Sequence, residues 1–132
     1  MASLTAKQLT ELANDFLGMA QSVGDYRYLH FGKLTKAQNK QFSDLHWSLL
    51  NYADDLFTQS ATLVMDDVEN ALAQIKTISQ EMTVSYKQLT KVQKAIDIAT
   101  AAVTLGAAIF SKNPLAIIDA ADALINVWKE SS

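Results

Sequence analysis

Residues 42–56 read Phe-Ser-Asp-Leu-His-Trp-Ser-Leu-Leu-Asn-Tyr-Ala-Asp-Asp-Leu. The apolar positions Phe42, Leu45, Leu49, Tyr52 and Leu56 step 3-4-3-4, a seam that repeats every seven residues. This period sets all five on one stripe of an α-helix but scatters them over both faces of a strand. Downstream, Val64, Val68, Ala71, Ile75, Ile78 and Met82 keep the same rule, and Tyr86, Leu89, Val92, Ile96, Ala99 and Val103 roughly continue it. Seams of this kind pack helix on helix, as in coiled coils.

The breakers agree. Between Gly32 and Gly106 lie 73 residues with neither glycine nor proline, and no Asn-Gly or Asp-Gly hairpin signal occurs. The expected fold class is therefore all-α, a single domain over residues 1–132. The expected architecture is an antiparallel bundle of four or five helices, elongated, with an apolar helical hairpin at its C-terminal end. An unbroken helix from Thr35 to Phe110 would be roughly 110 Å long, against a radius of gyration near 14 Å for a compact domain of this size. The chain is expected to turn, first at Asp66 and otherwise at Thr83-Val84-Ser85.

Helix starts are well marked. Thr5 with Gln8 and Thr35 with Gln38 are capping boxes, in which the hydroxyl accepts an early amide and the Gln reaches back. Leu4 and Leu9 stand where a hydrophobic staple needs them. Asp66 with Glu69, Ser85 with Gln88 and Thr90 with Gln93 are further candidates. The shared Leu-Thr-x-x-Gln at 4–8, 34–38 and 89–93 reads as reuse of a start signal rather than a repeat. A first helix is expected from Thr5 to Phe31, kinked or broken at Gly24-Asp25 and ended by Gly32. Asn113 followed by Pro114 reads as N-cap and first residue of a last helix reaching about Lys129.

Composition bounds the function. The hydrophobic fraction is 49% and the charged fraction 19%, as in a folded globular chain. The absence of cysteine removes disulfides, thiolate zinc sites and a cysteine nucleophile. A net charge of −3 disfavours non-specific nucleic-acid binding. Residues 1–15 hold no apolar core of signal-peptide length, so the cytoplasm is the expected compartment, with non-classical export as the alternative. Charge is also segregated. Residues 41–75 carry six acids and no base, whereas 76–94 carry four lysines against Glu81 alone. These stretches are expected to be neighbouring helices with complementary faces.

No constellation points to catalysis, a metal or a cofactor, and an enzyme is not expected. His30 and His46 lack the Glu-x-x-His spacing of di-iron bundles and read as structural. Asp54-Asp55 and Asp66-Asp67 diverge by roughly 100° on a helix and cannot converge on one atom. Asp119, Asp122, Asn126 and Lys129 form a narrow polar stripe expected to face water. Tyr26, Tyr28 and Phe31, interleaved with Arg27 and His30, are expected to pack in the core with polar tips reaching out. The four glycines stand alone, so no phosphate-binding loop exists.

The remaining signal is the hairpin of residues 95–128. Its first arm, Ala95 to Phe110, is rich in Ala, Gly and Thr, and Ala102-x-x-x-Gly106 is a small-xxx-small step that lets helix backbones approach. Its second arm, Leu115 to Trp128, is apolar around most of its circumference and must be buried against something. The charge-free run Ile98–Ser111 is fourteen residues. It spans roughly 21 Å, short of a bilayer core, so a constitutive membrane span is not expected. Ala102, Gly106, Phe110, Leu115, Ile118, Leu124, Ile125 and Trp128 form the candidate packing or interaction surface. The expected function is a non-catalytic interaction or structural module whose partner is itself or another helical protein, and not nucleic acid. The alternative is conditional membrane activity. In outline the hairpin resembles the hydrophobic hairpins of α-helical pore-forming toxins, which hide such a pair until membrane contact.

Overall fold

The computed structural model describes residues 4–58 and 68–130. Among them are five helices and no strand: α1 (Ala6–Leu29), α2 (Lys36–Phe57), α3 (Glu69–Ser85), α4 (Val92–Ser111) and α5 (Pro114–Glu130). Short 3-10 turns at Phe31–Lys33 and Tyr86–Gln88 follow α1 and α3. Main neighbours close a ring in the order α1, α2, α4, α5, α3 and back to α1. Sequence neighbours run antiparallel, so the bundle is up-down-up-down-up. Tyr26 against Phe42 and Phe16 against Tyr52 show the antiparallel α1/α2 pair, while Asp15–Ser79 and Gly18–Thr83 show α1 and α3 running parallel.

Both capping boxes form as expected. The Thr5 and Thr35 hydroxyls each accept from the third amide at 3.1 Å, and Gln8 and Gln38 accept from the cap amides at 2.9 Å. At the hairpin, Asn113 Oδ1 accepts from the Leu115 and Ala116 amides, which caps α5 with Pro114 as its first residue. Lys112 closes α4 in the left-handed region at φ 62°.

Other start signals give way to tertiary contacts. Helix α4 begins at Val92 with Lys91 at its cap, one residue later than Thr90 requires, and Gln93 bonds forward to Asp97 instead. Ser85 ends α3 rather than starting a helix, because the next residue, Tyr86, is drawn into the core. Asp66, Asp67 and Val64 lie outside the described residues. Helix α2 ends at Phe57 and α3 begins at Glu69, and α3 ends in turn at Ser85.

Helix α1 is unbroken through Gly24-Asp25 and ends at Leu29, before Gly32. Gly24 serves a close approach instead. His46 from α2 lies against it, and a Cβ there would come within 3.1 Å of two imidazole atoms. His46 Nδ1 is 2.7 Å from the Ala20 carbonyl, so the ring donates its proton to α1 and pins the two helices. His30 is structural as well, with Nε2 donating to the Lys87 carbonyl at 3.0 Å.

The seam positions Phe42, Leu49, Leu56, Val68, Ala71, Ile75, Ile78 and Met82 are all core. Helix α4 turns Ala95, Ile98, Ala99, Ala102, Leu105 and Ile109 inward, each fully buried. Its outer face carries exposed Thr100, Thr104 and Ala107, with both threonines bonded back to their own helix. The twenty residues of α4 are long and apolar enough to cross a membrane by length and composition. The charge-free run alone understated this, because Lys94 and Asp97 stand near one end of an otherwise apolar helix.

Candidate functional site

Two grooves flank α3. On one side, α1 and α3 enclose a cleft of about 210 Å³ lined by Gln8, Glu11, Leu12, Asp15, Glu69 and Lys76 among others. Asp15 stands i+3 from Leu12 and i−4 from Met19, so the helical period carries its carboxyl toward the same interface. There Ser79 Oγ donates to Asp15 Oδ1 at 3.2 Å. Burial raises the Asp15 carboxyl from 3.8 to about 6, while the Ser79 bond and nearby Lys76 pull it down and Glu11 pushes it up. Ser79 is buried and donates also to the Lys76 carbonyl, so its hydroxyl is not presented as a nucleophile. Among the described residues no three acids or histidines gather as a metal cage. The cleft therefore offers a proton-binding carboxyl, that of Asp15.

On the other side, α3 and α5 enclose a groove of about 310 Å³. Its apolar walls are Ala73, Ile78, Ile125 and Trp128, with Gln74, Thr77, Glu81 and Lys129 at the edges. Trp128 Nε1 donates to Glu81 Oε1 at 3.0 Å, which ties the end of α5 to α3.

The eight candidate surface residues separate into two groups. Ala102, Gly106 and Leu124 are buried inside the bundle. Gly106 lies directly beneath the Tyr52 ring of α2, and Phe110, half-buried, stacks on the same ring at 5.7 Å. These residues hold α4 and α5 in the fold. Leu115 is 71% exposed, and Ile118, Ile125 and Trp128 are half-buried. Only Ile125 and Trp128 of the eight line the α3–α5 groove. The stripe Asp119, Asp122, Asn126 and Lys129 faces outward.

The aromatic cluster departs from expectation. Tyr26 is fully buried, stacks on His30 at 4.1 Å and lies 5.2 to 5.3 Å from Phe42 and Tyr86. Its hydroxyl donates to the Leu89 carbonyl, and that of Tyr86 donates to Ala95. Burial pushes both phenols upward, Tyr86 furthest. Tyr28 and Phe31, by contrast, are 82% and 57% exposed. The inward stripe of α1 passes through Phe16, Met19, Val23 and Tyr26, so Tyr28 lies on the opposite side, and Phe31 belongs to the turn beyond the helix.

Comparison with protein-family models, curated proteins and solved structures finds no match to this chain.

Proposed function

We propose that this chain is a non-catalytic helical interaction module that self-associates, using the α3–α5 groove as its contact. The observation that carries the reading is the groove itself, an apolar trough between two helices with exposed Ala73 and half-buried Ile125 and Trp128 along it. Such a trough accepts the ridge of another helix, a recurring mode of recognition. Light scattering on a sizing column across a wide concentration range tests it. Association that rises with concentration and is lost in Ile125→Glu is expected. A monomer at every concentration sinks the idea.

A second reading draws on α4, whose length and apolarity suit a bilayer. It is conditional entry of the α4–α5 hairpin into lipid. Exposed Asp119 and Asp122 weigh against it, since carboxylates are costly in hydrocarbon. Dye leakage from liposomes is its signature, and no release at neutral or acidic pH removes it.

A further inference from the structure

One end of the bundle is unlike the rest. Residues 26–43 and 82–96 hold seven of the eleven lysines and arginines and none of the fourteen acids. These segments are thus +7, while the remainder, with four cations against fourteen acids, is −10. The fold brings the two segments together. The Tyr26 hydroxyl bonds to Leu89, His30 bonds to Lys87, and the Tyr26 and Tyr86 rings touch. Lys33, Lys36, Lys87 and Lys91 are exposed there. Lys40 and Lys94 are engaged with Asp44 and Glu130.

The same end carries Tyr28, Leu29 and Phe31, three large apolar side chains within four residues, none less than 57% exposed. Packing does not explain them. The turn that carries Phe31 is held in place: the Arg27 guanidinium lies 5.6 Å over the Phe31 ring and its Nε donates to the Asn39 carbonyl of α2. An exposed apolar cluster at the end of α1 and on the held turn after it, with Lys33, Lys36 and Lys87 beside it and Asp25 one helical turn behind, matches the two demands of a charged lipid surface. The apolar tips enter the acyl boundary, and the lysines meet headgroup phosphates.

We propose that the chain docks on anionic membranes through this end, with Tyr28, Leu29 and Phe31 inserted at the interface and Lys33, Lys36, Lys87 and Lys91 on the headgroups. A two-fold contact between copies would set these cations against one another. Single-stranded nucleic acid would stack on the rings, but Leu29 has no stacking face.

Sedimentation of the full chain with vesicles tests the proposal, using phosphatidylcholine alone and phosphatidylcholine mixed with phosphatidylglycerol. Binding is expected only with the anionic lipid, falling as salt rises. Changing Lys33, Lys36 or Lys87 to Gln is expected to weaken it about fivefold each. The triple variant Tyr28→Ser, Leu29→Ser, Phe31→Ser is expected to abolish binding while its helical melting stays near that of the parent. In Phe31→Trp, emission is expected to shift to the blue on anionic vesicles, measured as the difference from the parent. Docking is expected without dye release, which separates it from hairpin insertion. Absent or equal binding to the two lipids overturns the proposal, as does full binding by the triple variant. Retention on single-stranded RNA without vesicle binding, or a dimer abolished by the triple variant without vesicle binding, overturns it in favour of that partner.

Discussion

Gly106 offers the sharpest test of how closely α2 and α4 pack. A Cβ built there would lie 2.5 Å from Tyr52 Cε2 and closer still to Cδ2, well inside contact distance. The ring has little freedom to move aside, because Phe16 meets it edge-on at 6.2 Å and Phe110 stacks on it at 5.7 Å. Overpacking of a core costs about 1–3 kcal/mol, and the constrained ring places this site in the upper half of that range. Alanine recovers about 1 kcal/mol of helix propensity over glycine. Gly106→Ala is therefore expected to lose about 1–2 kcal/mol, lowering the melting temperature by about 4–8 °C for a domain of this size. Gly106→Leu should lose more than about 2 kcal/mol. Gly18 is the control, since its added Cβ meets Thr83 Oγ1 at an ordinary 3.6 Å. Gly18→Ala should gain about 0.5–1 kcal/mol. Gly24, 3.1 Å from a pinned imidazole, should fall between the two. Urea denaturation followed by circular dichroism measures all of these. In a Tyr52→Ala background the Gly106→Ala penalty should vanish, a coupling of at least about 1.5 kcal/mol. A Gly106→Ala protein as stable as its parent, or additive effects in the double variant, would refute the close crossing.

Three further outcomes are expected. The Asp15 carboxyl is raised in the fold from 3.8 to about 6, so its contribution favours folding below pH 4 and is lost as pH rises through 6. The shift corresponds to about 3 kcal/mol by linkage, and solvent access reduces it to about 1–1.5 kcal/mol. Asp15→Asn should thus raise stability at pH 7.5 by about that amount and lose the advantage near pH 4, read from melting curves across pH. Leu124→Ala should cost about 2–4 kcal/mol at a buried site, while Leu115→Ala, 71% exposed, should stay within about 0.5 kcal/mol in the same denaturation assay. Lys112→Gly should stabilise by about 0.5–1 kcal/mol, because φ 62° is strained for a side chain and free for glycine, and a lower melting temperature would contradict the left-handed cap.

The sequence made legible whatever local chemistry decides. Thr5 with Gln8 and Thr35 with Gln38 set their own helix starts, and Asn113-Pro114 set the hairpin. The same Leu-Thr-x-x-Gln pattern at 89–93 does not cap, because Tyr86 and Leu89 are held by Ala95 and Tyr26, and that tertiary pull shifts the start by one residue. Helix-to-helix pairing was not legible. Nothing near Gly106 in sequence names Tyr52, and nothing near Gly24 names His46, so one glycine reads as a small-residue step and the other as a kink. Asp15 carried a signal in its register with Leu12 and Met19, a polar residue on an apolar stripe. Tyr28 and Phe31 misled because aromatic residues are usually inside, whereas here the stripe of α1 had already turned away from them.

The magnitudes also separate the two membrane readings. For the hairpin to enter lipid, α4 must leave its place between α2 and α5. That withdraws Ile96, Ile98, Leu105 and Ile109 from the core, each 4% exposed or less. At about 1.5–3 kcal/mol per side chain the loss is about 6–12 kcal/mol, comparable to the whole stability of a domain. Lipid can cover α4 again, but it cannot cover the face of α2 left behind, with Tyr52 on it. Entry of the hairpin is therefore coupled to unfolding of the bundle and cannot proceed by a local opening. Docking through Tyr28, Leu29 and Phe31 carries no such cost, because the folded chain already presents them to solvent. A chain that binds anionic vesicles with its thermal transition intact obeys this ordering, and one that binds only after the transition is lost reverses it.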